Sequence, residues 1–222
     1  MSLHSKMIKI VHSHPAVNND FLTRFSNGQV SDREFTHFAT EFFHFSRTFP
    51  AILASLLVNT ADEAEAFELT KVLTSELGDG DPNMRHELLF RKFLRSIGID
   101  PTKVINSKMK RSTKTYLEGL DRLYGGRNHT KALGASFGLE NMAIPMWDQL
   151  IPGLRRIKST KIPKMDIEYF TFHRELEGTH EDAMEEVTNI IRDDPAVARS
   201  FESGINEALS VLHGFWLGLA EN

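Results

Sequence analysis

The chain has no cysteine, and that absence removes several kinds of chemistry at once. It excludes a disulfide framework, an iron–sulfur cluster, a zinc–thiolate site and a cysteine nucleophile, because all of these need thiol side chains. A sequence without cysteine also suits a reducing cytoplasm, where we expect the protein to function.

Long apolar runs and a strong excess of one charge are missing as well. The longest apolar run, Phe49 to Val58, is interrupted by Pro50 and Ser55, and it is far shorter than the roughly 20 residues that span a bilayer. The net charge of -4 gives no basic surface of the kind that binds nucleic acid. We therefore expect neither a membrane nor a nucleic-acid partner. The 222 residues are 41% hydrophobic, which is enough to form a core.

No stretch longer than a few residues alternates apolar and polar residues, which is the pattern of a half-buried strand. Apolar residues instead recur at helical spacing after start signals such as the capping box Ser31-x-x-Glu34. The sequence thus predicts an all-α, single-domain bundle of roughly seven to nine helices over residues 1–222. Gly134 and Gly138, one turn apart, predict a close helix contact or the approach of a ligand. We place the helices at 3–13, 17–25, 31–58, 62–77, 81–97, 107–124, 129–150, 167–192 and from 194 onwards, with a surface loop over 151–166.

Residues 173–180 carry the most informative motif. His173, Glu177 and His180 are spaced i, i+4 and i+7, so a helix of about 100° per residue places them within an arc of about 60°. The inner pair, Glu177-x-x-His180, has the spacing by which helical di-iron and di-manganese proteins bring a carboxylate and an imidazole to one metal pair. Three ligands do not complete such a site. More carboxylates and at least one more histidine are therefore expected on other helices.

The missing ligands should be acids or histidines inside otherwise apolar helix faces, where burial is costly unless the group is paired or metal-bound. Glu140 is the single carboxylate in the apolar stretch 135–147. Glu76 precedes the glycine break at 78–80, and His86 lies on the apolar helix after it. With the helical trio, these residues suit two hard or borderline metal ions that keep open positions for oxygen or substrate. Ligation by nitrogen and oxygen alone favours iron or manganese over structural zinc.

Other histidines and acids have plainer interpretations. Glu41-x-x-His44 repeats the spacing in an aromatic setting, but it lacks a third ligand at helical spacing, so we interpret it as a pocket wall. Without a metal, Glu177 and His180 would simply pair on an exposed helix face. Five histidines are assigned to the surface or to a hydrogen-bonded core: His12, His14, His37, His129 and His213.

The order and separation of these segments resemble the heme-oxygenase-like superfamily, which includes the TenA and PqqC proteins. The segments are 76–80, 86–90, 138–140 and the motif at 173–180. The resemblance is strongest to the CADD-like iron-containing redox enzymes, also called heme-oxygenase-like di-iron oxidases. The aromatic run Phe42-Phe43-x-Phe45-x-x-x-Phe49-Pro50 is similar to the helix that these proteins place near their pocket.

The resemblance implies a heme-oxygenase-like bundle that is often a homodimer. It implies two non-heme metal ions, iron with iron or iron with manganese. It also implies dioxygen, a small amine or carboxylate substrate and an unidentified electron donor as partners. The ligands that it implies are Glu76, His86, Glu140, His173, Glu177 and His180.

The sequence departs from the family pattern at three places. Glu177 stands where aspartate is common, and Asp79 is an alternative to Glu76 as the first carboxylate ligand. Relatives that make p-aminobenzoate from one of their own tyrosines carry a tyrosine in the early aromatic helix. Positions 42 and 43 are phenylalanine, which argues against this self-sacrificing reaction.

The leading interpretation is a di-metal oxidoreductase that activates dioxygen. A TenA-like hydrolase or a PqqC-like cofactorless oxidase on the same fold is the alternative, although the usual TenA cysteine nucleophile is absent and neither route uses three histidines with three carboxylates. Heme ligation by His12 or His14 would leave the buried carboxylates unexplained. A non-catalytic interaction module would tolerate alanine at His173 and His180.

Overall fold

The computed structural model describes residues 2–190 and 194–220, except for the side chain of Thr179. Within these residues the chain forms ten helices and no β-strand, so the predicted all-α class is confirmed. The predicted end of the motif helix at Arg192 lies outside the described residues. The helices are α1 (Leu3–Ser13), α2 (Asp20–Ser26), α3 (Asp32–Val58), α4 (Glu63–Glu76), α5 (His86–Ser96), α6 (Pro101–Ile105), α7 (Arg111–Tyr124), α8 (His129–Thr160), α9 (Glu168–Ile190) and α10 (Pro195–Ala220).

Helix α8 is the central element, and it packs along α10 and against α9, α2 and α7. Its contact with α10 depends on glycine. A Cβ on Gly134 would overlap the carbonyl oxygen of Phe201, and one on Gly204 would overlap the backbone of α8. Gly138 faces the backbone of Ile205, whose Cα would lie 3.3 Å from an added Cβ. The close helix contact predicted for Gly134 and Gly138 is therefore confirmed.

The core beside α3 is aromatic. The Phe42 ring stacks on Phe90 of α5 at 5.9 Å between centroids and on Trp216 of α10 at 6.2 Å. Phe90 in turn packs on Tyr169 of α9 at 4.6 Å. These rings tie α3, α5, α9 and α10 together. In the described part of the chain, none of the helices combines the length and apolar character that crossing a membrane requires.

The capping box that starts α3 forms as predicted. Ser31 Oγ accepts a hydrogen bond from the Glu34 amide, and the Glu34 carboxylate accepts one of 2.8 Å from the Ser31 amide. Arg24 of α2 also donates to Glu34 at 2.7 Å. That hydrogen bond lowers the pKa of Glu34 to about 2. The start of α3 is thereby attached to α2.

The surface loop predicted over 151–166 is wrong, because α8 continues through Pro152 to Thr160. The continuation buries an apolar face at helical spacing. Gly153 lets α2 approach, since a Cβ there would overlap the carbonyl oxygen of Phe25. Packing thus outweighs the hydrogen bond that Pro152 removes. The buried residues of this face are Leu150, Ile151, Leu154 and Ile157.

The start of α5 predicted at Asp81 and Pro82 is also wrong, because α5 begins at His86. The preceding residues form successive turns. The Asp81 amide donates to the Gly78 carbonyl at 2.9 Å, and the Met84 amide donates to the Asp81 carbonyl at 3.0 Å. Residue 85 then has a ψ of 130°, which interrupts a helical backbone. These turns bring the start of α5 back to the end of α4.

Two further helix starts lie later than predicted. Helix α2 begins at Asp20 rather than Val17, because the Asn19 side chain caps it by accepting from the backbone. Helix α7 begins at Arg111 rather than near Ser107, because the Ser107 hydroxyl donates to a carbonyl at the end of α6. The short helix α6 raises the count above the predicted range of seven to nine.

Candidate metal centre

All six predicted ligands are buried, and they lie together where α4, α5, α8 and α9 meet. Glu76 ends α4, His86 begins α5, and Glu140 lies inside α8, while α9 supplies the other three. They form two groups, in each of which one ligand atom per residue lies within 4.8 Å of the others. The first group is Glu76, His86 and His173, and the second group is Glu140, Glu177 and His180.

In the first group the two imidazoles approach one carboxylate. His86 Nδ1 lies 2.8 Å from Glu76 Oε2, and His173 Nε2 lies 4.0 Å from Glu76 Oε1. The two rings are 4.0 Å apart between centroids. His173 Nδ1 donates to the Tyr169 carbonyl at 2.8 Å, since a carbonyl can only accept. The proton therefore resides on Nδ1, and Nε2 of His173 is available as a ligand.

In the second group one imidazole approaches two carboxylates. His180 Nδ1 lies 3.1 Å from Glu140 Oε2 and 3.5 Å from Glu177 Oε2. The other ring nitrogen, Nε2, lies 3.0 Å from Ser75 Oγ. Trp147 Nε1 donates to Glu177 Oε1 at 2.8 Å. Side chains from α4 and α8 thus hold the ligands of α9 in place.

Burial and close charges shift the pKa values of these groups in different directions. Burial acts to raise the pKa of Glu76, but the charge and hydrogen bond of His86 lower it to about 2. Burial lowers the pKa of His173 to about 3, and the charge of His86 acts in the same direction. His173 is therefore neutral near pH 7, which is the form that binds metals.

The second group retains a proton. Burial raises the pKa of Glu140, and hydrogen bonding to His180 offsets part of this effect. Burial acts to lower the pKa of His180, but the adjacent carboxylates of Glu140 and Glu177 raise it well above 6.5. A proton on His180 thus offsets the charge of one of the two carboxylates. A metal ion that binds these residues displaces that proton.

Three buried atoms of the two groups have no hydrogen-bond partner among the described residues: His86 Nε2, Glu140 Oε1 and Glu177 Oε2. Leaving such atoms unpaired in a protein interior is costly. Each is a nitrogen or oxygen donor of a kind that iron and manganese accept. The residues present therefore fit a pair of metal ions.

A cavity borders both groups, and Glu76, His173, Glu140 and Glu177 contribute to its lining. Ser46, Trp147 and Tyr169 add three further polar groups. None of the described lysine and arginine residues lines this cavity. The rest of the wall is apolar: Phe45, Phe49, Leu139, Met142, Ala143 and Met146.

Sequence reasoning missed Trp147, Tyr169, Ser46 and Ser75. Two of them carried a positional signal. Trp147 follows Glu140 by seven residues and Tyr169 precedes His173 by four, and both separations return to the same helix face. Ser46 and Ser75 carried no such signal.

The alternative carboxylate and the second E-x-x-H motif lie apart from the two groups. Asp79 is exposed and has a φ of 50°, so Glu76 and not Asp79 faces the histidines.

The interpretation of Glu41 and His44 as a pocket wall is wrong. Glu41 accepts from the Lys110 amide at 3.1 Å, and His44 Nε2 lies 3.4 Å from Ser107 Oγ. Both face the chain between α6 and α7, because the helix face of Phe45, Ser46 and Phe49 is the one turned to the cavity.

The five histidines assigned to other roles also lie outside the two groups. None of the five is buried. His129 Nε2 lies 2.7 Å from Glu65, and His14 Nδ1 accepts from the Ala16 amide at 3.1 Å.

Comparison with known proteins links this arrangement to a family. The profile of a family described as iron-containing redox enzyme matches residues 36–213. The 4-chloro-allylglycine synthase of Streptantibioticus cattleyicolor is 27% identical over 216 residues, which cover 97% of this chain and 81% of that protein. The 4-aminobenzoate synthase of Chlamydia pneumoniae is 22% identical over 209 residues, which cover 93% and 90% of the two chains. A CADD-like protein of unknown function from Nostoc punctiforme has the same fold, with a TM-score of 0.82 at 18% identity over 98% of this chain and 95% of its own.

Proposed function

This chain belongs to the family of iron-containing redox enzymes, and we propose that it is a di-iron or iron–manganese oxidoreductase that uses dioxygen to oxidise a small amine- or carboxylate-containing metabolite. The family match confirms the predicted redox enzyme, and the similar structures confirm the predicted heme-oxygenase-like fold. The observation that carries the proposal is the pair of buried ligand groups beside one cavity.

In this proposal the first group holds one ion and the second group holds the other. The first group offers two imidazoles and one carboxylate, and the second offers one imidazole and two carboxylates. The three unpaired atoms, His86 Nε2, Glu140 Oε1 and Glu177 Oε2, support this assignment because metal ligation would satisfy them. The full set of proposed ligands is Glu76, His86, Glu140, His173, Glu177 and His180.

When bound, the metal pair supplies the electrons that dioxygen accepts. Neighbouring residues of this chain orient the proposed metal ligands and limit the access of water to the site. The Tyr169 carbonyl keeps the His173 proton on Nδ1, and Trp147 fixes one oxygen of Glu177. The apolar part of the cavity wall limits the water around the reacting atoms.

The names of the two relatives support the substrate class. One is named for the synthesis of 4-chloro-allylglycine and the other for the synthesis of 4-aminobenzoate, and both names denote compounds with an amino and a carboxyl group. Binding of a compound with an amino or a carboxyl group beside the two groups is our proposal for this chain. The predicted homodimer, cytoplasmic location and electron donor stay predictions.

Metal content tests the proposal directly. We expect protein purified without chelator or metal-affinity resin, or loaded anaerobically with ferrous iron, to bind two ions per chain by plasma mass spectrometry. His173→Ala should lose the ion of the first group, and Glu140→Ala that of the second. His44→Gln is the matched control, because His44 is a buried histidine of an E-x-x-H pair outside both groups.

Oxygen consumption by the loaded protein, with a panel of amines and carboxylates, then tests the reaction. The proposed metal site would be refuted if the wild type binds no iron after anaerobic loading. It would also be refuted if the wild type, His173→Ala and Glu140→Ala all contain the same amount of metal. In that case the TenA-like or PqqC-like alternative on this fold becomes the working hypothesis.

A further inference from the structure

We propose that the hydroxyl groups of Ser46 and Tyr169 bind the carboxylate of the substrate, and that this substrate is a monocarboxylate with an apolar chain. The inference rests on the proposed function, because it requires metal ions in the first and second groups. It narrows the substrate class from amines and carboxylates to carboxylates without a second charge.

Ser46 has a hydroxyl available for a ligand. The residue is only 4% exposed, it lines the cavity, and its Oγ has no hydrogen-bond partner among the described residues. Serine and threonine inside a helix commonly bond to the carbonyl four residues earlier, as Thr48 does to His44 at 2.8 Å. Ser46 lacks this bond. A ligand in the cavity would therefore satisfy a hydroxyl that the fold leaves unpaired.

Tyr169, on α9, lines the same cavity, and its hydroxyl lies close to that of Ser46. Its ring is held between neighbours on two helices, with centroid distances of 4.1 Å to His173 and 4.6 Å to Phe90. The phenol is thereby kept next to the first group. Two neighbouring hydroxyl groups can each donate to one oxygen of a carboxylate.

Charge decides which head group the cavity accepts. Its three lining carboxylates, Glu76, Glu140 and Glu177, are all proposed metal ligands. Two divalent ions exceed the charge of these three carboxylates by one, so a single anion balances the centre. Among the described lining residues, an ammonium group would find no carboxylate outside the proposed metal ligands, and a second carboxylate would find no lysine or arginine. An unpaired charge in such a place is costly.

The remaining wall suits a hydrocarbon chain. Phe49, Leu139, Met142 and Ala143 form part of this apolar lining. Burying each further methylene group against such side chains should tighten binding by about fourfold, until the cavity is filled.

Binding of hexanoate to protein loaded anaerobically with ferrous iron tests the inference. Isothermal titration calorimetry should show hexanoate binding at least about tenfold more tightly than 2-aminohexanoate or hexylamine, which have the same chain with a different charge. Ser46→Ala and Tyr169→Phe should each weaken hexanoate binding by about ten- to hundredfold, as expected for the loss of one hydrogen bond to a charged group. Iron content should stay at two per chain in both variants.

Tyr116→Phe and Thr113→Val are the matched controls. Both residues are buried, their hydroxyls have no partner among the described residues, and neither lines the cavity. Both controls should bind hexanoate as the wild type does. The inference is overturned if the iron-loaded wild type prefers 2-aminohexanoate or hexylamine, or fails to bind hexanoate. It is also overturned if Ser46→Ala and Tyr169→Phe both bind hexanoate with wild-type affinity. A wild type that binds no iron would instead refute the proposed function, and the two failures are thereby told apart.

Discussion

Trp147 Nε1 donates a hydrogen bond of 2.8 Å to Glu177 Oε1, so an indole of α8 holds a proposed metal ligand of α9. The other oxygen, Oε2, has no hydrogen-bond partner among the described residues and faces His180 Nδ1 at 3.5 Å. One oxygen of the carboxylate is thus used for positioning, and the other is available to a metal ion. Partners of this kind orient a ligand before the metal arrives.

We expect Trp147→Phe to weaken metal binding by about 10- to 100-fold, because Glu177 loses the donor that orients it. Competition with a chelator of known affinity measures the change. Trp216→Phe is the control, because the Trp216 indole is also buried but its Nε1 has no partner in the described chain. Equal losses in the two variants would mean that ring volume matters and the hydrogen bond does not.

Ser75→Ala should weaken metal binding by the second group by about tenfold, because the variant removes the oxygen 3.0 Å from His180 Nε2. Ser75→Thr keeps a hydroxyl and should restore affinity. The visible spectrum of the cobalt-loaded protein reports the ligand field in each case. Ser55→Ala is the control, since the Ser55 hydroxyl only donates to the Ala51 carbonyl on an exposed part of α3. An unchanged spectrum and affinity in Ser75→Ala would contradict the positioning role.

His173 makes the stability of the metal-free protein depend on pH. Burial lowers its pKa from 6.5 to about 3. As the pH falls below 6.5, the unfolded chain takes up a proton on this residue, whereas the folded chain does not until about pH 3. Protonation therefore favours unfolding across that window. We expect the free energy of unfolding to fall by several kcal/mol, in order of magnitude, as the pH drops through it.

Urea unfolding of wild type and His173→Leu between pH 4 and 7 isolates this contribution. The lowered pKa of Glu76 further reduces the free energy of unfolding as the pH falls below 4.5, whereas the raised pKa of Glu140 acts in the opposite direction. Because both carboxyl groups are present in the variant, the difference between the two curves reports His173. Parallel curves would contradict the prediction.

Gly134→Ala should destabilise the protein by about 1–3 kcal/mol, because the added Cβ overlaps the Phe201 carbonyl oxygen and separates α8 from α10. Gly214→Ala on α10 should instead stabilise it by about 0.5–1 kcal/mol, since nothing lies within 4 Å of a Cβ there and alanine favours the helix. Chemical denaturation measures both. The same sign of change in the two variants would show that helix propensity, rather than the α8–α10 contact, governs the response.

Part of the candidate site could be predicted because helical periodicity is local. The spacing of His173, Glu177 and His180 places them on one face of any helix, and the structure has that helix. Glu140 was conspicuous as a lone carboxylate among apolar residues. Ser46 could not be predicted, since an unpaired hydroxyl is defined by what surrounds it and not by its neighbours in sequence.

The sequence by itself determined the helical class, most helix positions, the six candidate ligands and the resemblance to a family, because caps, glycine breaks and apolar periodicity act over a few residues. Only the tertiary structure decided that Pro152 does not end α8, that Glu76 rather than Asp79 faces the histidines, and that Glu41 and His44 face away from the cavity. Each of these outcomes depends on contacts between residues distant in sequence. Burial against such neighbours outweighs the local preference of the backbone.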